Sequence, residues 1–125
     1  MITSLLQVAA GGALGAGARY LVNVAAMRAL GPGFPWATMV VNVAGSFLMG
    51  VLVVWLAKRD GMGWAPFLMT GVLGGFTTFS AFSLDVATLW ERGEAGLAAS
   101  YALGSVVLSV GALFAALWLM RGWST

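Results

Sequence analysis

Four apolar stretches, joined by short polar or turn-rich connections, account for almost the whole chain. They cover residues 2–26, 37–57, 64–90 and 95–120. Each is long enough to supply the roughly 20 apolar residues that a membrane-crossing helix needs. The first connection carries G-P-G-F-P, a strong turn signal, the second holds Gly61 and Gly63, and the third holds Gly93. Connections this short force successive helices to run antiparallel. The pattern therefore predicts an all-α membrane protein with one four-helix domain over residues 1–125 and no room for a soluble module. The first stretch has no basic residues ahead of it and is too long for a signal peptide, so it is read as a retained span.

The third stretch departs from a plain apolar helix. Residues 74–83 read G-G-F-T-T-F-S-A-F-S, with adjacent glycines, four hydroxyls, three phenylalanines and no charge. Each glycine weakens a helix by about 1 kcal/mol relative to alanine. The β-branched Thr77 and Thr78 compete for backbone hydrogen bonds and weaken it further. Irregular backbone at membrane depth survives only inside protein or against a wet cavity. The stretch is thus expected to break the third helix at a functional centre. Freed carbonyls there can hold a cation, and the hydroxyls and rings can line a path. A helix with tolerated glycines packed on a neighbour is the plainer account.

Composition narrows the classes. The chain is 61% hydrophobic and 8% charged, against about 25% charged in soluble domains. With six basic and four acidic residues and a net charge of +2, it has no basic stripe for nucleic acid. There is no cysteine and no histidine, which removes disulfides, thiolate chemistry and imidazole zinc sites. Arg28 and Arg92 fall at one set of span ends and Lys58, Arg59 and Arg121 at the other. So small an imbalance gives only a weak topological bias, compatible with insertion in both directions.

The remaining polar positions lie within spans. Gly11 and Gly15 form a G-x-x-x-G pair, and Gly12 with Ala16 a second small pair, suited to close helix packing in lipid. Arg19 lies well inside the first span and must snorkel, pair or face a wet vestibule. Asn42, the one amide of the second span, serves either as glue between helices or as pore lining. Tyr101, Ser105 and Ser109 recur every four residues and share one helix face. Together these uncharged donors suggest a polar track. Donors suit an anion, as do the electropositive ring edges of Phe79 and Phe82. A proton relay or cation path would display a carboxylate at depth, whereas Asp85 is read as lying near the end of the third span.

V-N-V-A-G-S-F-L-M-G at residues 41–50 and G-V-L-G-G-F-T-T-F-S-A-F-S at residues 71–83 resemble the CrcB/Fluc family of fluoride channels. G-A-R-Y around Arg19 and the Tyr101, Ser105, Ser109 spacing fit as well, so the resemblance covers essentially the whole chain. It implies an antiparallel, dual-topology homodimer in a bacterial inner membrane, with two fluoride pores and a central structural sodium ion that is not transported. By position, Phe79 and Phe82 match the pore phenylalanines, Asn42 the pore asparagine and Arg19 the vestibule arginine. Ser80, Tyr101, Ser105 and Ser109 match the polar lining, which Thr78 and Ser83 extend within the same stretch. Gly74 and Thr77 match the positions whose carbonyls hold sodium, two from each subunit. Ala81 stands where many members have threonine, and Ala37 replaces a common glycine. Two rivals are a small four-span drug/proton antiporter, which wants a carboxylate in the first span, and a structural membrane-assembly protein, which needs no Asn42, Phe79 and Phe82 constellation.

Overall fold

In the computed structural model, which describes residues 1–123, helix α1 spans Ile2–Leu30 and α2 spans Trp36–Lys58. The third crossing is segmented. A 3-10 turn at Met62–Trp64 leads into a π-helical stretch at Pro66–Leu73, followed by the short α3 at Gly74–Phe76. After a non-helical interruption α4 runs over Ser80–Glu91, and α5 over Ala95–Trp123 closes the chain. Four segments are long and apolar enough to cross a bilayer: Ile2–Leu30, Trp36–Lys58, Met62–Glu91 and Ala95–Gly122. All are somewhat longer than the apolar runs themselves, because the helices carry on into the polar flanks. Gly31 (φ 77°) and Gly93 (φ 80°) supply the left-handed residues that end α1 and α4.

The chain is inside-out by the standards of a soluble protein. Leu5, Leu14, Leu103, Val107, Phe114 and Trp118 are all exposed. Lipid tails solvate such side chains at no cost, so helix association must come from close packing and hydrogen bonds. Trp36 and Trp90 mark one end of the bundle, and Trp55, Trp64 and Trp118 the other, as interfacial anchors do. The Arg59 guanidinium lies 5.6 Å from the centre of the Trp55 ring.

Backbone contact between α1 and the third crossing is the tightest packing in the chain. A Cβ on Gly15 would collide with the Val72 carbonyl and come within 2.8 Å of the Phe76 nitrogen. One on Gly11 would strike the Phe67 carbonyl, and one on Gly75 would sit 2.7 Å from the Gly12 carbonyl. The G-x-x-x-G pair thus packs within one chain. On the opposite side α5 lies along α2, where Gly50 admits the Leu113 carbonyl and Ala116. Leu89, Ala98 and Tyr101 form a small core between α4 and α5, flanked by Phe34, Met39, Phe82 and Val86.

The double glycine has a different use from the one expected of it. Gly74 is helical (φ −63°, ψ −37°), and the helix yields only at Thr77, which is extended (φ −82°, ψ 158°). Gly75 is needed for the approach of α1. Introducing a methyl group by Gly15→Ala should cost about 1–3 kcal/mol by overpacking. That is expected as a fall in the melting temperature of the detergent-purified protein, with no fall for Gly96→Ala, whose added Cβ meets nothing within 4 Å.

Candidate functional site

The interruption at residues 77–79 redirects the donors that a continuous helix would spend on itself. Thr77 still closes the last turn, with both its N–H and its Oγ1 donating to the Leu73 carbonyl at 2.9 Å. The next N–H, that of Thr78, belongs in a helix to the Gly74 carbonyl but donates to Asn42 Oδ1 at 2.8 Å. Asn42 Nδ2 donates in turn to the Thr78 carbonyl at 2.9 Å. One amide side chain on α2 therefore satisfies both polar groups of Thr78, as a neighbouring strand would. The Ala81 N–H, due to the Thr77 carbonyl, is captured by Thr78 Oγ1 at 3.2 Å, so Thr78 caps α4. Regular pairing resumes with the Ser83 N–H on the Phe79 carbonyl at 2.8 Å. Arg19 Nε reaches from α1 to donate to the Gly75 carbonyl at 3.1 Å.

Beside the interruption lies an open groove of about 470 Å³. Asn42 and Ser46 of α2, Thr77, Thr78 and Phe79 of the break, Phe82 of α4, and Ser105 and Ser109 of α5 line its polar part. Toward the other end it is apolar, with Met49, Val110 and Leu113. Phe79 stands 76% exposed, and its ring centroid is 5.5 Å from that of Phe82. Ser105 is only 3% exposed, and its Oγ has no hydrogen-bond partner among the described residues. A buried hydroxyl left unpaired beside a groove is a vacant donor for whatever polar species occupies it.

Two smaller cavities of about 230 Å³ each extend the polar surface toward the Trp36 end. The inner one holds Arg19, Asn23, Thr38 and Asp85, and shares Thr78 with the groove. The outer one shares Asn23, Thr38 and Asp85 with it and adds Thr88, Arg92 and the 31–36 connection. The Tyr101 hydroxyl donates to Asp85 Oδ2 at 2.9 Å. A ladder of rings runs the same way: Phe82 to Tyr101 at 5.3 Å, Tyr101 to Phe34 at 5.4 Å and Phe34 to Trp36 at 4.5 Å.

The residues singled out from the sequence divide accordingly. Asn42, Thr77, Thr78, Phe79, Phe82, Ser105 and Ser109 meet at the groove, with Gly74 at its edge. Arg19 lies in the inner cavity instead. Tyr101 is fully buried and faces Asp85. Ser80 and Ser83 are exposed on α4 and border none of the three cavities, although Ser80 Oγ lies 3.3 Å from Thr78 Oγ1. Asp85 lines two cavities and is not the peripheral carboxylate that its place in the sequence suggested. Thr38 and Ser46 were missed, although with Asn42 they recur every four residues, the spacing that exposed the stripe on α5. Asn23 follows Arg19 by the same interval.

Among the described residues, no three His, Cys, Asp or Glu side chains gather as around a metal ion. Backbone carbonyls are then among the candidate oxygen ligands for a cation. The carbonyls of Gly74 and Thr77 are the two whose helical donors, the N–H groups of Thr78 and Ala81, are diverted to side chains. A Cβ at Gly74 would meet nothing nearer than the Met69 carbonyl at 3.6 Å, so its surroundings are open.

Four apolar crossings, the third interrupted beside a groove partly lined by uncharged donors, define a multi-pass α-helical membrane protein. Residues 6–117 match the family model described as "CrcB-like protein, Camphor Resistance (CrcB)", and the chain belongs to that family. It is 68% identical over 123 residues to the "Fluoride-specific ion channel FluC" of Cereibacter sphaeroides (strain ATCC 17029 / ATH 2.4.9), covering 98% of each chain. It is 60% identical over 119 residues to the protein of the same name from Paracoccus denitrificans (strain Pd 1222), covering 95% of each. Its identity to that of Mesorhizobium japonicum is 54% over 119 residues, 94% of this chain and 96% of the relative.

The Asn42 pairing makes a direct prediction. Asn42→Ala leaves both polar groups of Thr78 unpaired and should destabilise the fold by about 1–3 kcal/mol. Amide exchange at Thr78 should accelerate correspondingly; exchange as slow as in the native protein would disprove the pairing.

Proposed function

We propose that this protein is a fluoride channel, and that it lets the ion leave the cell passively and so limits its toxicity. The observation that carries this is the match, over nearly the whole chain, to relatives named as fluoride-specific channels. The groove supports the same reading on chemical grounds. A small anion gives up a tightly held hydration shell only if donors replace it. Asn42, the orphaned Ser105 hydroxyl and the Thr and Ser hydroxyls around them are such donors, and none carries a charge that would trap the ion. The edges of the Phe79 and Phe82 rings add weak positive potential without a proton to titrate.

The functional unit in this reading is an antiparallel homodimer in a bacterial inner membrane, with two pores. Two features favour it. The groove is open along one side, and Phe79 projects from it, so a second copy is needed to close the path. The weak bias of basic residues between the two ends permits both insertion directions. Sodium is the proposed structural ion at the dimer centre, held by the Gly74 and Thr77 carbonyls of each protomer. Their release from helical pairing suits a hard cation that takes oxygen ligands, and the ion supplies a fixed charge that ties the two breaks together.

Fluoride efflux from liposomes loaded with potassium fluoride tests the proposal, and native protein should release the ion rapidly. Phe82→Ile should abolish the flux while the dimer still forms. Asn42→Asp should lower it roughly tenfold or more, because a carboxylate beside the path repels the anion and cannot donate to Thr78. Native-like efflux in both variants would remove the groove from the path. No efflux from the native protein would refute the channel itself.

A further inference from the structure

The position of Arg19 points to a task other than lining a path. In a continuous helix the Gly75 carbonyl would accept from the Phe79 N–H, but Phe79 lies beyond the extended Thr77. Arg19 Nε stands in for that lost donor. The same face of α1 grips Gly75 elsewhere: a Cβ there would lie 2.7 Å from the Gly12 carbonyl and 3.2 Å from the Ala16 nitrogen. Gly12, Ala16 and Arg19 follow one another at roughly one turn, so α1 touches this residue on its Cα side and ties down its oxygen.

Two consecutive glycines leave both of their peptide planes unusually free to turn. A cation site is sensitive to that freedom, because a hard ion binds well only if its oxygens are held at fixed distances. We infer that Arg19 is a positioning residue for the sodium site, holding the Gly75 peptide so that the adjacent Gly74 carbonyl is presented in a fixed direction. This rests on the proposed ligation of sodium by Gly74 and Thr77. It also runs against the electrostatic expectation. A cationic side chain acting through its charge alone opposes sodium, whereas a positioning residue favours it, so the two accounts predict opposite signs for its removal.

The test is the sodium concentration that half-maximally stabilises the purified protein against thermal unfolding, titrated in fluoride-free N-methylglucamine buffer. Arg19→Met keeps most of the stem but has neither donor nor charge, and its midpoint should rise about tenfold, the fold-change corresponding to one charge-assisted hydrogen bond partly compensated by water. Arg19→Lys keeps the charge with a more mobile donor and should give a smaller rise. A midpoint for Arg19→Met equal to or below the native one overturns the inference alone. Where that variant does not assemble, an unchanged midpoint for Arg19→Lys overturns it instead, because a mobile ammonium holds the carbonyl less firmly than the planar Nε donor. A native protein whose unfolding does not respond to sodium overturns the cation reading and this inference together.

Discussion

A backbone group left unpaired in hydrocarbon costs several kcal/mol, and the third crossing leaves its helix in mid-span. Everything distinctive about this chain answers that constraint. Three side chains replace lost helical bonds: Asn42 for both polar groups of Thr78, Thr78 Oγ1 for the Ala81 N–H, and Arg19 for the Gly75 carbonyl. Thr77 Oγ1 adds a second donor to the Leu73 carbonyl and so reinforces the turn that precedes the gap. These contacts cannot be chosen one at a time. Asn42 reaches Thr78 only because α2 runs beside the break, where a Cβ on Gly45 would clash with Thr77 Cγ2.

Close packing of α1 supplies the rigidity that the break itself lacks. Lipid offers no hydrophobic drive for helix association, so contact must be gained by bringing backbones together. Gly11, Gly15 and Gly75 permit that approach, and Arg19 continues it as a hydrogen bond at the point where glycine packing stops. The interrupted crossing thus has a firm half, seated against α1 through Phe76, and a second half, α4, seated against α5 through Leu89 and Tyr101. The gap lies between two separately anchored pieces.

Much of this was legible in the sequence because membrane helices announce themselves by length and apolarity, and polar residues within them stand out. The four crossings and the unusual 74–83 stretch were visible for that reason. The exact site of the gap was not. Within the stretch expected to break, the gap falls at Thr77 and Thr78 and not at Gly74 and Gly75, whose weakening of a helix is a property of water. In lipid the glycines serve approach, while the diverted donors lie downstream at Thr78 and Ala81. Asp85 escaped for a different reason. Its place along the chain suggests an interface, and only the folded arrangement of α4 against α5 brings Tyr101 to it and turns it toward the cavities. Thr38 and Ser46 were readable from their spacing about Asn42, but single hydroxyls among apolar residues carry little signal alone.

The size of the groove bears on how selectivity arises. At about 470 Å³ it is many times the roughly 30 Å³ that one water occupies in the liquid. The chain alone therefore offers an open groove with donors along part of its wall, too wide to replace an ion's hydration shell. Discrimination between anions requires that the shell be stripped and replaced by protein donors at contact distance. The donors are in place on α2, the break and α5, but the open side provides none. Lipid closing that side leaves the Ser105 hydroxyl without a hydrogen-bond partner. A protein surface that narrows the trough and brings its own rings or hydroxyls resolves both difficulties at once. In the proposed dimer, the exposed Phe79 at the rim of the groove would be free to reach the groove of the second copy.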